Sequence, residues 1–389
     1  MQLFILVFIV LLFVPYIILL MYYRLGWKSI PMAEPADVTH PVSMSVVIAA
    51  RNEEVNLPIL LESLKKQTYS KDFFEVIVVD DHSTDTTASI VERYASGNTR
   101  LIRLQDHALP AGTNSYKKKA IETAIAAATG ELIVTTDADC VVPASWLQTI
   151  ASFYEKFHPS FIVMPVCYHN RNNFLEIFQS LDFMTLQGIT GAAVSRGLHS
   201  MCNGANLAYT KNAFIRSGGF EGIDAIASGD DMLLMHKIYK QDPAGISYLK
   251  SPGVIVQTRA MHSWKDFINQ RIRWASKADN YDDKRIFWVL LTVYLVNVML
   301  LVLPVAAAIK NSTLHMAGFH GTLFETWLLL LLLKTLVELY FLLPVARFFN
   351  KISLLSWFPF SQPVHIVYTI VAGWLGKFGN YEWKERKVK

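Results

Sequence analysis

Hydrophobic and polar positions follow two regimes along this chain. Between about residues 44 and 280, short apolar runs alternate with amphipathic stretches. Met44–Ala50 and Phe74–Val79 are nearly all apolar, the pattern of strands buried on both faces. Between them, Leu57–Gln67 repeats its apolar residues at helical spacing. The alternation continues with a helix from Asp85 to Tyr94, a short strand at Arg100–Leu104, and a polar loop over 105–117. An Ala-rich helix from Lys117 to Thr129 is closed by Gly130, a helix-stop signal, and leads into a strand at Glu131–Thr135. A helix at Ser145–Phe157, a strand at Phe161–Val166 and a long helix at Phe174–Val194 come next. A Gly/Asn-rich segment spans Cys202–Tyr209, and Ser228-Gly229-Asp230-Asp231 opens a helix to Tyr239. Short strands near Ile246–Leu249 and Gly253–Gln257 precede a helix at Ser263–Ala278. This β-α-β-α order predicts an α/β fold with a mostly parallel sheet covered on both faces.

The second regime is purely apolar. Residues 2–23 and 287–309 carry no charge, and 323–345 and 354–376 are strongly apolar. Each is long enough to cross a bilayer of about 30 Å. Nothing basic precedes the first run, and Met21-Tyr22-Tyr23-Arg24 is not a cleavage site, so it reads as an uncleaved anchor. Arg24 and Lys28 follow it, which places the large domain in the cytoplasm by the positive-inside rule. The predicted organisation is an anchor at 1–23, a proline-bearing linker at 24–43, a globular domain at 44–282 and a membrane region at 283–389. Pro359, Pro363 and His365 interrupt the last apolar run, and the tail Lys384–Lys389 is basic. That run reads either as a third C-terminal span or as a re-entrant segment. Lys334 and Glu338 sit mid-span at helical spacing, either as an acceptor path or as a neutralised structural pair.

Composition sharpens this picture. Hydrophobic residues make up 52% of the 389, an excess concentrated in the apolar runs. The net charge of +4 does not argue for nucleic acid. Cys140, Cys167 and Cys202 have no metal-ligand spacing and fit a reducing compartment. No Gly-x-Gly-x-x-Gly follows the first strand, which argues against a dinucleotide oxidoreductase.

The candidate chemistry lies at strand ends and helix starts. Asp137 and Asp139 follow a buried strand two residues apart, so they point the same way. Beyond the carboxyl ends of an open α/β sheet, such a pair either holds a metal-borne phosphate or forms a solvated turn. Asp80 and Asp81 end another strand, where carboxylates can accept hydrogen bonds from a nucleobase and a ribose diol. Ser83, Thr84 or Asp85 caps the helix that follows. Lys117-Lys118-Lys119 opposes a helix dipole, which suggests a nearby anion or a solvated basic face. Asn203-Gly204-Ala205-Asn206 allows a backbone to approach a ligand, or forms a plain turn. Asp230 and Asp231 start a helix, so one can cap while the other serves as a base. Gln270, Arg273 and Trp274 share a helix face just before the first C-terminal span, as a diphosphate grip or an interfacial anchor.

These sets, in this order over roughly residues 44–280, resemble the family 2 glycosyltransferases, inverting enzymes of the GT-A fold. Gln270-Arg271-Ile272-Arg273-Trp274 is most similar to the membrane-bound branch of cellulose, hyaluronan and poly-N-acetylglucosamine synthases. The resemblance implies a nucleotide-sugar donor, a UDP-sugar, and a lipid or glycan acceptor, at a bacterial cell membrane. It implies a first nucleotide loop at Ala50, Asn52 and Glu53, with Asp80 and Asp81 on nucleobase and ribose. Lys119-Ala120 matches the family's Lys-Ala helix start. Asp137 and Asp139 would hold the diphosphate through Mg²⁺ or Mn²⁺, with Asp139 the direct ligand. Asp231 would be the general base and Asp230 its supporting acid. Asn203, Gly204, Gln270, Arg271, Arg273 and Trp274 would serve the acceptor and leaving diphosphate. One departure stands out: the family's Glu-Asp pair is Asp-Asp here. A processive polysaccharide synthase and a non-catalytic membrane scaffold are the alternatives.

Overall fold

The structure, a computed structural model, describes residues 2–388 apart from 96, 108–114, 170–172, 200, 225, 227, 228, 277–282, 317, 318, 379, 380, 384 and 385. Ser228, the centre of the loop at 105–117, the end of the helix at Ser263–Ala278 and part of the basic tail therefore lie outside the described residues. In chain order the elements are α1 (Gln2–Ser29), β1 (Met44–Ala50), α2 (Leu57–Lys65), β2 (Phe74–Asp80), α3 (Thr87–Tyr94), β3 (Thr99–Arg103) and α4 (Tyr116–Ala127). Then come β4 (Leu132–Thr135), α5 (Trp146–Phe157), β5 (Phe161–Val163), β6 (Val166–Tyr168), α6 (Phe174–Ser195), β7 (Leu207–Thr210) and α7 (Lys211–Arg216). The chain continues through α8 (Met232–Gln241), β8 (Ile246–Tyr248), β9 (Val256–Thr258), α9 (Trp264–Ala275), α10 (Lys284–Ile309), α11 (Leu323–Phe348) and α12 (Phe358–Phe378). Two compact units result. One joins Ser29–His169 to Ile189–Ala260; the other joins Met1–Lys28, Asn170–Gly188 and Met261–Lys389.

The first unit is built on a seven-stranded sheet of order β3-β2-β1-β4-β7-β5-β8. β3, β2, β1 and β4 are mutually parallel, and β5 pairs with β8 in parallel. β7 runs antiparallel between β4 and β5, so the sheet is mixed but mostly parallel. β1 and β2 are buried almost throughout, as their continuous apolar runs predict. The strand expected at Phe161–Val166 divides into β5 and β6 around Pro165, whose missing N–H cannot continue a ladder. The Gly/Asn-rich segment ends in β7 rather than in a turn alone. The helix expected to reach Thr129 ends at Ala127. Gly130 has a different reason to be glycine: a Cβ there would lie 2.4 Å from the backbone nitrogen of Ser45 in β1.

Among its described residues, the second unit holds three helices long and apolar enough to cross a membrane: Leu6–Ser29, Lys284–Ile309 and Leu323–Phe348. α1 packs on α11 through Tyr23 against Phe341 and Trp27 against Phe348, with ring centroids 6.4 and 5.3 Å apart. α10 meets α11 where Trp327 Nε1 donates to the Leu300 carbonyl at 3.0 Å. α12, the ambiguous last apolar run, is a continuous helix despite Pro363. It packs closely on α9, where a Cβ on Gly376 would meet Ala275 Cβ at 2.6 Å.

Candidate active site

The parallel register brings strand ends together. Ala50 of β1 lies beside Asp80 of β2, and Val47 lies beside Thr135 of β4. The carboxyl ends of these three strands therefore open along one edge of the sheet, where α/β folds bind ligands. Asp80 is buried, and its Oδ1 has no hydrogen-bond partner among the described residues. A buried carboxylate oxygen left open is an acceptor that a bound ligand can satisfy. Asp81 is committed instead: His82 Nδ1 donates to its Oδ1 at 3.0 Å, and Arg51 Nη1 lies 3.9 Å away.

The loops after β1 and β2 are stitched to each other. Asn52 N donates to Ser83 Oγ at 3.0 Å, and Asn52 Oδ1 accepts from Thr84 N at 2.9 Å. Glu53 N donates to Thr87 Oγ1 at 2.8 Å, and Glu53 Oε2 accepts from Asn56 at 2.8 Å. Asn52 and His82 have φ of 53° and 55°, left-handed values that Asn and His adopt more readily than most residues. Asp85 accepts from Thr87 N at 2.9 Å, but the N-cap of α3 is Thr86, one residue beyond the candidates Ser83, Thr84 and Asp85, and it makes no side-chain cap bond. Asn52 and Glu53 thus shape the rim beside Asp80.

The three consecutive lysines do three different things. Lys117 Nζ lies 2.8 Å from Asp137 Oδ1 and 3.1 Å from Asp230 Oδ2, joining carboxylates far apart in sequence. Burial lowers its pKa, but Asp137, Asp230 and Asp231 outweigh that and hold it above the usual lysine range. Lys118 is buried and donates to the Ile223 and Ile226 carbonyls, both at 2.6 Å, holding the segment that leads to the acidic pair. Lys119, singled out by the resemblance, pairs with Glu122 at 3.4 Å. The triplet at a helix start was the signal for Lys117; spacing alone could not say which of the three lysines turns inward.

Asp231 caps α8, its Oδ1 accepting from Met232 N at 2.7 Å. Its Oδ2 accepts one long bond, 3.3 Å, from Gly204 N. Gly204 in turn offers its carbonyl to Thr135 Oγ1 at 2.9 Å. A Cβ on Gly204 would lie 3.1 Å from Asp230 Oδ2 and 3.4 Å from Lys117 Nζ. Asn203 Oδ1 accepts from Ala205 N at 3.0 Å and fixes this turn. Asn206 belongs to the core: it accepts from Trp146 Nε1 at 2.9 Å and donates to the Pro165 and Val254 carbonyls at 2.7 Å.

Asp139 Oδ2 accepts from Thr258 Oγ1 of β9 at 3.3 Å. Cys140 beside it is buried, and burial with Asp139 and Asp137 pushes its thiol pKa up, so it stays protonated. No group of three or more His, Cys, Asp or Glu residues among those described could hold a metal by itself. A diphosphate-bound Mg²⁺ or Mn²⁺ does not need one, because one or two carboxylates with phosphate and water oxygens complete its shell. Asp139 and Asp137, hard oxygen donors on one strand end, fit that requirement.

Gln270, Arg271, Arg273 and Trp274 lie on α9, in the membrane-helix unit. Arg271 is buried and makes two bonds to Asp182 Oδ2, at 2.7 and 3.1 Å, and one to Gln270 Oε1 at 2.9 Å. Its guanidinium stacks 4.2 Å over Trp274. Tyr368 of α12 donates to the other oxygen of Asp182. Asp182 was not anticipated, although a carboxylate inside the apolar α6 is the kind of position that calls for a partner.

A mixed, mostly parallel sheet with carboxylates at its strand ends, in a chain carrying long apolar helices, defines a GT-A type of transferase with membrane helices. The chain belongs to the family 2 glycosyltransferases. The description "Glycosyl transferase family group 2" matches residues 132–375, more than half of the chain, and "Glycosyl transferase family 2" matches residues 45–218. The chain is 32% identical over 124 residues to the poly(ribitol-phosphate) beta-N-acetylglucosaminyltransferase TarS of Staphylococcus aureus, covering 32% of this chain and 21% of TarS. It is 27% identical over 133 residues to the beta-monoglucosyldiacylglycerol synthase of Synechocystis, covering 33% of this chain and 27% of that protein. The matched part is thus a minor share of either relative. The mannosyltransferase PcManGT of Pyrobaculum calidifontis, solved in complex with GDP-Man and Mn²⁺, shares the fold. Its TM-score is 0.55 at 22% identity, over 90% of this chain and 94% of that one.

Proposed function

We propose that this chain is an inverting transferase that moves a sugar from a UDP-sugar to a hydroxyl of a lipid, lipid-linked or glycan acceptor at the cytoplasmic face of a cell membrane. The observation that carries this reading is the convergence of Asp137 and Asp230 on Lys117, with Asp231 next in the chain. Such a cluster sets a metal-competent carboxylate and a fixed cation beside a candidate base. Asp80, Asp81, Ala50, Asn52 and Glu53 form the donor-binding side, supported by the open Oδ1 of Asp80; the resemblance also assigns Lys119 there, although its ammonium pairs with Glu122. Asp231 takes the acceptor proton. The acceptor oxygen forms its bond to the anomeric carbon as the bond to the diphosphate breaks on the opposite face. The bonding pair leaves with the nucleoside diphosphate, and the sugar is inverted. Asp139 and Asp137 would hold Mg²⁺ or Mn²⁺, whose charge would stabilise the departing diphosphate. Lys117 adds a fixed positive charge at the same place, and Asp230, held by Lys117, supports Asp231. The resemblance assigns Asn203, Gly204, Gln270, Arg271, Arg273 and Trp274 to the acceptor and leaving group.

The test is Asp231→Asn in purified full-length protein offered a panel of radiolabelled sugar nucleotides. Transfer should fall about 10²- to 10⁴-fold while donor binding persists. Transfer near the wild-type rate would remove Asp231 from the mechanism.

A further inference from the structure

Asp137 and Asp139 stand two residues apart, yet different chemistry reaches each. Asp137 meets the ammonium of Lys117 at 2.8 Å. Two neutral donors reach Asp139. Thr258 Oγ1 donates to its Oδ2 at 3.3 Å, and the Cys140 thiol donates to its Oδ1 at 3.7 Å. Neutral donors aim a carboxylate without cancelling its charge, and each oxygen keeps a lone pair for a further partner.

The position of Thr258 is fixed by its backbone. It ends β9, which pairs in parallel with β6 and sets Thr258 beside Tyr168. Its carbonyl accepts from His169 N at 2.9 Å. Gln257, one residue earlier, exchanges two backbone bonds with Val141, at 2.8 and 2.9 Å. Cys140 N donates to the Asp137 carbonyl at 3.1 Å and closes the turn. The turn that carries Asp139 thus leaves β4 in the seven-stranded sheet and is caught by β9 of the separate β6-β9 sheet. Threonine is stiff at χ1, so the strand backbone also sets the direction of its hydroxyl. A segment 119 residues away in the chain therefore decides how Asp139 faces.

We propose that Thr258 is a positioning residue for the metal: its hydroxyl aims the Asp139 carboxylate at the divalent cation that carries the donor's diphosphate. This rests on the reading above that Asp139 and Asp137 hold Mg²⁺ or Mn²⁺. A cation held by one or two carboxylates and otherwise by phosphate and water depends strongly on the angle of each protein ligand. Groups that hydrogen-bond a metal's ligands contribute about 10- to 100-fold in metal affinity. Thr258→Val removes the hydroxyl, keeps the branched shape and leaves the bond from His169 N to the carbonyl of residue 258 in place.

The experiment measures UDP binding to purified full-length protein by calorimetry, once with Mn²⁺ and once with EDTA. Mn²⁺ should tighten UDP binding in the wild type. In Thr258→Val that gain should shrink about tenfold, while the Kd for UDP in EDTA stays at the wild-type value. Thr258→Ser keeps the donor and should retain most of the gain. Thr258→Val combined with Asp139→Ala should lose no more than Asp139→Ala alone, because the hydroxyl acts through Asp139. In sugar transfer, Thr258→Val should need about tenfold more Mn²⁺ for half-maximal rate and reach a near wild-type kcat at saturation. A full Mn²⁺ gain in Thr258→Val, an equal loss in Thr258→Ser, weakened UDP binding in EDTA, or a further loss in the double variant would each overturn the role of Thr258 alone. Wild-type protein that binds UDP no better with Mn²⁺ than with EDTA would remove the metal reading and this role together.

Discussion

At the scale of single residues, the site is organised by Lys117 and Gly204. Lys117→Met removes the charge that holds Asp137 beside Asp230. The carboxylates then repel each other, at the place proposed above for the diphosphate. Transfer should drop roughly 10- to 100-fold, as expected for losing one charge-assisted contact of about 1.5–3 kcal/mol, with Lys117→Arg recovering part of it. Steady-state rates with a labelled sugar nucleotide would show this, and unchanged rates in Lys117→Met would rule out the role. Gly204→Ala tests the same spot by volume. The new methyl stands 3.1 Å from Asp230 Oδ2, closer than ordinary contact, so the acidic pair must shift. A fall in kcat without a fall in Tm is the expected signature.

At the scale of elements, the sheet is held at its other end by Glu75. This carboxylate on β2 accepts from Ser45 of β1 at 2.7 Å and from Thr129 N at 2.6 Å, and it lies 2.9 Å from Arg100 of β3. Three adjacent strands and the entry to the fourth thus share one anion. Burial raises its pKa, but the hydrogen bonds and Arg100 outweigh that, and the net shift is below the ordinary value of 4.5. A depressed carboxylate pKa stabilises the fold above the unfolded value, and that stability is lost as pH falls through the lower folded value. Thermal unfolding of Glu75→Gln against wild type should therefore show the full deficit at neutral pH. The difference should close only below about pH 4.5. A pH-independent difference would refute the electrostatic account.

At the scale of the whole molecule, a matched ion pair sits inside the membrane-helix unit: Lys334 lies 2.8 Å from Glu338. Lys334→Met leaves Glu338 buried without its cation, a change that costs about 3–5 kcal/mol in comparable buried pairs. Lys334→Met combined with Glu338→Met removes both charges and should restore most of the lost Tm in detergent. A double variant as unstable as the single one would mean that the pair does more than neutralise itself. Chelation provides a second check on the molecule as a working enzyme. EDTA should abolish sugar transfer, and Mn²⁺ or Mg²⁺ should restore it, because Asp139 and Asp137 alone do not offset a departing diphosphate.

The α/β class, the strand ends that carry Asp80, Asp81, Asp137 and Asp139, and the long apolar helices were legible in the sequence. Periodicity and runs of apolar residues are local properties, and a buried parallel strand or a membrane span displays them directly. The antiparallel β7 and the break at Pro165 were less legible, because pairing direction depends on which distant segment lies alongside. The lysine that turns inward, the close approach that requires Gly204, and the partner of Arg271 were decided only by the tertiary structure. Each depends on groups brought within about 3 Å from segments far apart in the chain, and no spacing rule encodes such a meeting. So the chain by itself determined which carboxylates and lysines stand at strand ends and helix starts. Folding decided that Lys117, rather than Lys119, joins Asp137 to Asp230, because the helix phase of α4 turns that ammonium toward both carboxylates.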